Sequence, residues 1–347
     1  MGRRAVAFMI GCLFVILVAV GGEVIRLPYV VMVPASTANT LGSVNGQVLI
    51  QVSGHRLYHT DGGHLDLVTE YSYGGPGTDV NLFDILPSLL SSKVAVLPQE
   101  SVFPPASAAG VIVPNATLTT WAMQDATAAA LRQLKIHFSE TVGITDILKG
   151  SPAARVLQEG DVLTAVDGRP VTSWASLSAL IDGLPSGQPV TVTVDRRGVV
   201  KEFDITTVSN GRGGTEIGIV PFGIYKFPFT VRMNASACSG NGCGLMFALG
   251  LIDKLSPLDL TGGKFIAGAG TLDDLGGVGY VIGIKPLLAD LRGQGATIFL
   301  TPATDCGEAL RAAPPGLRLV KVSTLSGAVQ ALEALRTGRP VPTCSGS

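Results

Sequence analysis

The stretch Asn234-Ala-Ser-Ala-Cys-Ser-Gly-Asn-Gly-Cys-Gly-Leu-Met-Phe-Ala-Leu-Gly250 decides how the C-terminal part of the chain folds. Small residues run from Ala235 to Gly244, and an apolar segment begins at Leu245. Glycine, serine and alanine let two backbones approach closely, and the free N–H groups at a helix start favour negative charge. The stretch therefore predicts a helix from Leu245 whose N-terminus would suit a catalytic nucleophile.

Length and composition exclude several classes of protein. The 347 residues suffice for two or three domains, and 46% hydrophobic residues exclude a disordered chain. A formal net charge of -1 leaves no basic surface for nucleic acid. No Gly-x-x-x-x-Gly-Lys-Ser/Thr loop occurs, so we expect no ATPase activity. We also expect no cofactor.

The N-terminal segment is apolar and uncharged from Ala5 to Gly22, after Arg3 and Arg4. This length matches the hydrocarbon core of a bilayer, and the arginines favour a cytoplasmic N-terminus. We predict a transmembrane anchor over residues 1–25. The chain would then be a single-pass protein of the cell membrane with its bulk extracytoplasmic. A cleaved signal peptide is the alternative.

Five cysteines occur, and Cys12 lies in the predicted anchor. The other four would lie in an oxidising space, where disulfides form. Among three possible connectivities we favour Cys238 with Cys243, which share one loop, and Cys306 with Cys344. The alternative is that some or all are free, buried cysteines.

Three histidines, His55, His59 and His64, fall close to Asp61 and Asp66. The alternating sequence around them predicts short β-strands in a small region next to the membrane. Histidines near strand ends are more often polar edge residues than metal ligands. We therefore expect no metal site.

Four segments occur in order between residues 136 and 208: Gly150-Ser-Pro-Ala-Ala154, Leu157-Gln-Glu-Gly-Asp-Val-Leu163, Val166-Asp-Gly-Arg-Pro-Val171 and Pro189-Val-Thr-Val-Thr-Val-Asp195. Together they resemble a PDZ domain of the type attached to bacterial proteases. A helix from Ser173 to Asp182 lies between the last two segments.

This resemblance implies that an extended peptide or protein segment binds at a sheet edge beside a helix. We expect the edge at residues 142–148 and the helix at 173–182. The expected peptide contacts are Val142, Ile144, Ile147, Leu177, Leu180 and Ile181. The alternative is that these residues only form the core. No Gly-Leu-Gly-Phe-like carboxylate loop is recognisable, and Ser139-Glu-Thr-Val-Gly143 stands at its place.

The remaining chain divides into regions on either side of this segment. Residues 26–135 are interpreted as a membrane-proximal β region that ends in a helix over 117–135, and residues 209–214 as a Gly-rich hinge. The third domain, 215–337, has predicted strands at 229–233, 265–267, 297–300 and 317–322 and predicted helices at 245–255, 285–294 and 325–335. Mixed elements in this order predict an α+β fold class.

The segment Gly244-Leu-Met-Phe-Ala-Leu-Gly250, with Thr261-Gly-Gly263 and Gly268-Ala-Gly-Thr-Leu272 after it, resembles the proteolytic domain of Lon protease. It is most similar to the membrane-anchored, extracytoplasmic Lon-like proteins that carry a PDZ domain. The resemblance places the catalytic serine of that family at Gly242 and its catalytic lysine at Leu287.

Neither position can perform the chemistry of a serine-lysine endopeptidase, which needs a hydroxyl that attacks and an amine that accepts its proton. Cys243 is a substitute candidate, but one residue turns a side chain by about 100° around a helix. We therefore predict a catalytically degenerate homologue that binds peptides through its PDZ domain. The alternatives are an active, ATP-independent endopeptidase, with a serine or a rescuing cysteine, and a structural envelope protein. Active Lon domains often form rings, so a homo-oligomer is one option.

Overall fold

The computed structural model describes residues 3–58, 62–75, 77–91, 93–103, 115–210, 214–234, 238 and 242–345. The elements before residue 135 form one half of a sheet-and-helix body: α1 (Arg3–Val24), β1 (Arg26–Leu27), β2 (Tyr29–Asn39), β3 (Ser43–Val44), β4 (Gln47–Val48), β5 (Ile50–Ser53), β6 (His64–Gly74), β7 (Val80–Asn81), α2 (Leu82–Leu90), β8 (Ala95–Pro98), α3 (Gln99–Val102) and α4 (Asn115–Gln133).

A smaller unit follows, with the elements β9 (Ser139–Ile147), β10 (Val162–Val166), β11 (Arg169–Pro170), α5 (Trp174–Asp182), β12 (Pro189–Arg196) and β13 (Val199–Thr206). The rest of the chain forms β14 (Val208–Ser209), β15 (Thr215–Glu216), β16 (Ile219–Lys226), β17 (Thr230–Met233), α6 (Gly244–Leu255), β18 (Phe265–Gly268), β19 (Thr271–Leu272), β20 (Val278–Gly279), α7 (Ile284–Leu288), β21 (Ile298–Pro302), α8 (Cys306–Ala312), β22 (Arg318–Val322) and α9 (Leu325–Arg336).

The large sheet of the body takes strands from both ends of the chain, in the order β22-β21-β18-β6-β2-β8. The strands β6, β18, β21 and β22 are parallel, whereas β2 is antiparallel to both β6 and β8. Parallel strands need crossover connections, which contain α7 and α8. The chain is therefore mixed α/β and the predicted α+β class is wrong. The regions 26–135 and 215–337, which we treated as separate, share this sheet.

Helix α6 lies in the core of the body, and every residue from Gly244 to Leu255 except Lys254 is buried. Its glycines allow close packing. A Cβ on Gly244 would lie 3.0 Å from Cβ of Leu272, and a Cβ on Gly250 would lie 2.5 Å from Oγ1 of Thr40. The predicted helix over 245–255 is confirmed, and the small residues permit its approach to neighbouring strands.

The N-terminal helix α1 is not a transmembrane span. Crossing a bilayer takes about 20 predominantly apolar residues, and within the described parts of the chain no helix is both that long and that apolar. The end of α1 packs on α2: a Cβ on Gly22 would lie 2.8 Å from the ring of Phe83, and Asn81 Nδ2 donates to Glu23 Oε2 at 3.3 Å. The predicted anchor over 1–25 and the single-pass membrane localisation are therefore wrong, and the prediction of the membrane as a partner is left without support.

The other predicted helices and strands agree with the structure, apart from one helix near the C-terminus. The helix expected over 117–135 is α4, and the four strands expected after residue 228 are β17, β18, β21 and β22. The helix expected over 285–294 ends at Leu288, because Ala289 is extended and Asp290 has a left-handed backbone with φ of 70°. Helix α8 was not predicted.

The smaller unit forms its own sheet, in the order β13-β12-β10-β9-β16, around a core separate from that of the body. Phe138 immediately precedes β9 and Phe227 immediately follows β16, and their ring centroids are 5.3 Å apart. The unit is therefore an insertion whose two ends lie side by side.

Candidate functional site

The strand β16 is the edge of the smaller sheet and runs beside helix α5. It is last in the strand order, so one of its sides has no neighbour among the described strands. The preceding strand, β9, pairs with β10 on one side and with β16 on the other. The edge predicted at residues 142–148 therefore lies inside the sheet, as does the expected loop substitute at 139–143.

The turn before β16 is attached to the smaller unit through its carbonyl groups. Ile217 O accepts a hydrogen bond from Ala153 N at 3.2 Å. Gly218 O accepts one from Leu148 N at 3.0 Å. In a trans peptide the N–H points opposite to the C=O, so the N–H groups of Gly218 and Ile219 point toward the open edge. Two adjacent N–H groups directed this way can bind a carboxylate.

Gly218 cannot be replaced without changing this turn. Its φ is +84°, and a Cβ there would lie 2.1 Å from Cβ of Ser151. The hydroxyl of Ser151 donates to Gly218 O at 3.1 Å, which holds the two residues together. Only glycine fits both the backbone conformation and the space.

Pro221 limits how far another strand can pair with β16. Ile144 N donates to Asp161 O at 3.0 Å, and Ile144 O accepts from Gly160 N at 2.8 Å, so Ile144 directs both backbone groups away from β16. Its partner on β16, Pro221, therefore directs its own backbone toward the open edge. Since proline has no N–H, the edge offers a donor at Ile219 but none at Pro221.

Helix α5 forms the opposite wall, and its start is fixed by a capping box. Ser173 Oγ accepts from Ser176 N at 3.0 Å, and Ser176 Oγ accepts from Ser173 N at 2.9 Å. Leu177 and Ile181, one helical turn apart, both face β16.

Between these walls lies a cavity of about 320 Å³, which we call the groove. Its apolar lining includes Leu177, Ile181 and Ile217, and its polar lining includes Ser178 and Glu216. An apolar floor with polar groups and free N–H groups at one end is the arrangement that binds an extended peptide by strand addition.

The six predicted peptide contacts lie in two different places in the structure: two line the groove, and four lie in the core of the unit or pack against it. Leu177 and Ile181 line the groove. Val142 and Ile144 are buried in the core of the unit, and Ile147 and Leu180 pack against that core half-buried.

Sequence reasoning missed the residues of β16 and the turn before it. The segment Thr215-Glu-Ile-Gly-Ile-Val-Pro-Phe222 follows the Gly-rich hinge at 209–214, so it was assigned to the third domain. The signal that could have found it is a glycine between two isoleucines at the start of an alternating strand.

A second cavity, of about 100 Å³, lies at the N-terminus of α6, and we call it the α6 cavity. Gly242, Cys243 and Leu287 all line it, so the two positions assigned to a catalytic dyad do come together. Among the described residues, a Cβ on Gly242 would come within 4 Å of Val281 Cγ1 alone, at 3.3 Å.

The α6 cavity contains a carboxyl group but, among the described residues that line it, no lysine or histidine. Burial raises the pKa of Glu70 to about 7. Two lysines and a threonine close to the matched segments in the sequence do not line this cavity and have other partners. Lys285 Nζ donates to a backbone carbonyl at 3.4 Å, Lys254 Nζ donates to another at 3.0 Å, and Thr261 Oγ1 donates to Asp259 Oδ1 at 2.8 Å.

Disulfide bonds join Cys238 to Cys243 and Cys306 to Cys344, which confirms the predicted pairing. The sulfur of Cys243 is therefore not available as a thiolate nucleophile, because the thiolate is the reactive form. Of the three grouped histidines, His55 and His64 are described, whereas His59 and Asp61 lie outside the described residues.

Comparison with known proteins supports the prediction of a PDZ domain in the smaller unit. The PDZ domain family matches residues 122–207. A probable periplasmic serine endoprotease of the DegP-like type from Marinomonas sp. (strain MWYL1) is 36% identical over 64 residues, which cover 18% of this chain. The matched part is 14% of that relative's length.

Solved structures show similar partial matches. The PDZ domain of the SdrC-like protein from Listeria monocytogenes is 26% identical, with 23% of this chain and 85% of that chain covered and a TM-score of 0.22. The HtrA-type protease AlgW, solved with a decapeptide, is 14% identical, with 58% of this chain and 62% of that chain covered and a TM-score of 0.18.

The chain therefore contains a PDZ domain and is similar over 64 residues to a DegP-like protease. The matched residues end at 207, before β16. These similarities do not show a Lon protease domain, so the resemblance of residues 215–337 to that domain stays a prediction.

Proposed function

We propose that this protein binds the carboxyl-terminal segments of peptides or proteins in the groove and does not cleave them. The observation that carries the proposal is the open edge of β16, which lies beside α5 with the N–H groups of Gly218 and Ile219 directed into the groove. A PDZ domain uses such an edge for binding, with main-chain hydrogen bonds for affinity and side-chain pockets for selection.

The geometry favours one orientation of the peptide. Its terminal carboxylate lies at the turn, where Gly218 and Ile219 supply N–H donors, and its chain runs antiparallel to β16. Its last side chain contacts Leu177, Ile181 and Ile217, which favours an apolar residue at that position.

The proposed lack of cleavage rests on the α6 cavity. The Lon-like resemblance places a serine at Gly242 and a lysine at Leu287. Both positions line this cavity, and neither side chain there supplies the hydroxyl or the amine that the dyad needs, although Thr69 and Ser72 line the cavity as well. We infer that the body is a protease scaffold that has lost its dyad, and that the PDZ domain retains or delivers segments which another protein processes.

A panel of fluorescein-labelled decapeptides with free carboxyl ends, compared by fluorescence polarisation with the same peptides amidated, tests the binding. Free-acid peptides with an apolar last residue should bind more tightly than their amides. Ser178→Tyr, which fills the groove, should abolish binding. Ala179→Tyr, on the exposed side of the same helix, is the matched control and should bind normally. Equal binding by both variants would refute the groove as the site.

Incubation of the full chain with fluorescein-labelled casein tests the proposed lack of cleavage. We expect no release of fluorescent peptides. Turnover would contradict the loss of the dyad and would leave the peptide-binding result unaffected, so the two parts fail separately.

A further inference from the structure

A third cavity, of about 200 Å³, continues the groove along β16. We call it the cage. Trp174 and Pro221 line both the groove and the cage, so the two spaces meet at the N-terminal end of α5. The six residues of the cage that matter here are Trp121, Trp174, Tyr225, Asp125, Asp273 and Asp274.

The cage combines aromatic rings with carboxylates. The two tryptophans of the sequence, Trp121 and Trp174, are both in its lining, and Trp174 is 43% exposed. Tyr225 contributes a third aromatic ring, and its hydroxyl donates to Asp125 Oδ1 at 2.9 Å. Aromatic faces attract cations through the ring quadrupole, and nearby carboxylates add to that attraction.

The negative charge of the cage is only partly balanced. Arg132 forms an ion pair with Asp274 at 2.9 Å and also contacts Glu140 of β9. Asp125 and Asp273 have no ion pair with any described residue; Asp125 accepts from Tyr225, and Asp273 Oδ1 accepts from backbone N–H groups at 2.7 and 3.0 Å. One guanidinium therefore pairs with one of the three aspartates of the cage and with Glu140, and the other two aspartates have no ion pair with a described residue.

The position of the cage fits a peptide in the orientation proposed above. Such a peptide runs from the turn at Gly218 past Pro221 toward Tyr225, at about 3.3 Å per residue. A residue about four positions before its carboxyl end then lies opposite Gly223, which lines the cage. Because Pro221 interrupts pairing at the edge, side-chain contacts beyond it contribute more to selection.

We propose that the cage binds the cationic side chain of a lysine or arginine located about four residues before the carboxyl end of the bound peptide. This inference rests on the proposed function and adds a chemical class to its ligand: a carboxyl-terminal segment with an apolar last residue and an upstream basic residue.

The binding should depend on pH through Asp125. Burial raises the pKa of Asp125 to about 6, the hydrogen bond from Tyr225 opposes this, and the charges of Asp274, Asp273 and Glu140 add to it. Arg132 pairs with Asp274 of the cage, and it lines the adjoining cavity together with Lys135 and His137. Below about pH 6 Asp125 is protonated, so the preference for a basic residue should weaken as the pH falls from 7.5 to 5.

The test uses the full chain and the decapeptide that binds most tightly in the panel above. Lysine, norleucine and glutamate are placed in turn at the fourth, fifth and sixth residues from the carboxyl end. At one of these positions the lysine peptide should bind about tenfold more tightly than the norleucine peptide, and the glutamate peptide should bind more weakly than either. Asp125→Asn combined with Asp273→Asn should remove most of this difference, whereas Asp204→Asn, on the opposite edge of the sheet, should preserve it.

Each outcome decides the proposal. If norleucine and lysine peptides bind equally at all three positions, the cage is not a cation site and the groove remains a peptide site. If no decapeptide binds, the proposed function fails, and the cage is then tested alone by titration with N-acetyl-lysine methylamide. A change in tryptophan fluorescence that the double variant loses would support the cage, and no change would overturn it.

Discussion

Arg196 contacts both carboxylate oxygens of Asp161: its Nε lies 2.7 Å from Oδ1 and its Nη2 lies 2.7 Å from Oδ2. The side chain of Asp161 is 1% exposed and that of Arg196 is 15% exposed. Removing one partner of a buried pair leaves the other charge without compensation. Asp161→Asn should therefore lower the free energy of unfolding of the PDZ domain by about 3–5 kcal/mol, measured by urea denaturation. Glu159→Gln, an exposed control two residues away, should change it by less than about 0.5 kcal/mol.

The pair of Asp161 and Arg196 also predicts that the stability of the PDZ domain depends on pH. Burial acts to raise the pKa of Asp161, but the hydrogen bonds from Arg196 and from Gln158 N outweigh it, and the pKa is lowered. A lowered pKa gives stability that is present above the ordinary pKa, about 4, and is lost as the pH falls through the folded value. The difference between wild type and Asp161→Asn should shrink as the pH is lowered below 4, and a difference that stays constant would contradict this assignment.

Gly218→Ala should disrupt the turn before β16. Alanine at φ +84° is strained, and its Cβ would also meet Ser151 at 2.1 Å. Gly198→Ala is the matched control, because its φ is +83° and its Cβ would meet no atom within 4 Å. The control should cost about 1–2 kcal/mol of stability and keep peptide binding. Gly218→Ala should cost more and lose binding, measured by thermal unfolding and fluorescence polarisation; equal effects would show that the contact with Ser151 does not matter.

Glu70 should destabilise the folded protein at neutral and alkaline pH. Its pKa is raised by burial to about 7 from an ordinary value near 4.5, so the fold favours the protonated form. Stability then falls as the pH rises between these values. Glu70→Gln should raise the free energy of unfolding by about 2–3 kcal/mol at pH 8 and leave it unchanged at pH 4. Thermal unfolding across this pH range measures the effect, and the exposed Glu202→Gln should show no such trend.

The two disulfides should contribute unequally to stability. Cys306 and Cys344 are separated by 38 positions, whereas Cys238 and Cys243 are separated by 5. A longer closed loop restricts the unfolded chain more, with about 4 kcal/mol expected for the first pair and about 2 kcal/mol for the second. Denaturation of the two double Cys→Ser variants compares them directly. A larger loss from the Cys238 and Cys243 pair would show that native contacts, rather than loop length, set the contribution.

The sequence predicted local features of this fold better than its long-range pairings. The PDZ turns at Gly160-Asp161 and Asp167-Gly168 and the capped helix α5 depend on neighbouring residues, so their motifs identify them. Helix α6 was predictable because a long apolar run follows small residues. The early end of helix α7 was not predictable, since the left-handed backbone at Asp290 leaves no pattern in the apolar spacing.

The groove and the large sheet depend on pairings between distant segments. β9 pairs with β16, and β6 pairs with β18, although the two strands of each pair lie far apart in the sequence. Hydrophobic alternation identifies a strand but not its neighbour. The alternation therefore does not distinguish the interior strand β9 from the edge strand β16, which contains Pro221.

The contact between Phe138 and Phe227 determines how the PDZ domain is mechanically attached. A domain at the end of one flexible linker can swing in all directions, and a single cut releases it. This domain is joined to the body by two chain segments that lie side by side, and the pairs Arg132–Glu140 and Asp125–Tyr225 also hold its sheet against α4. A single cut in either segment would therefore leave the domain attached.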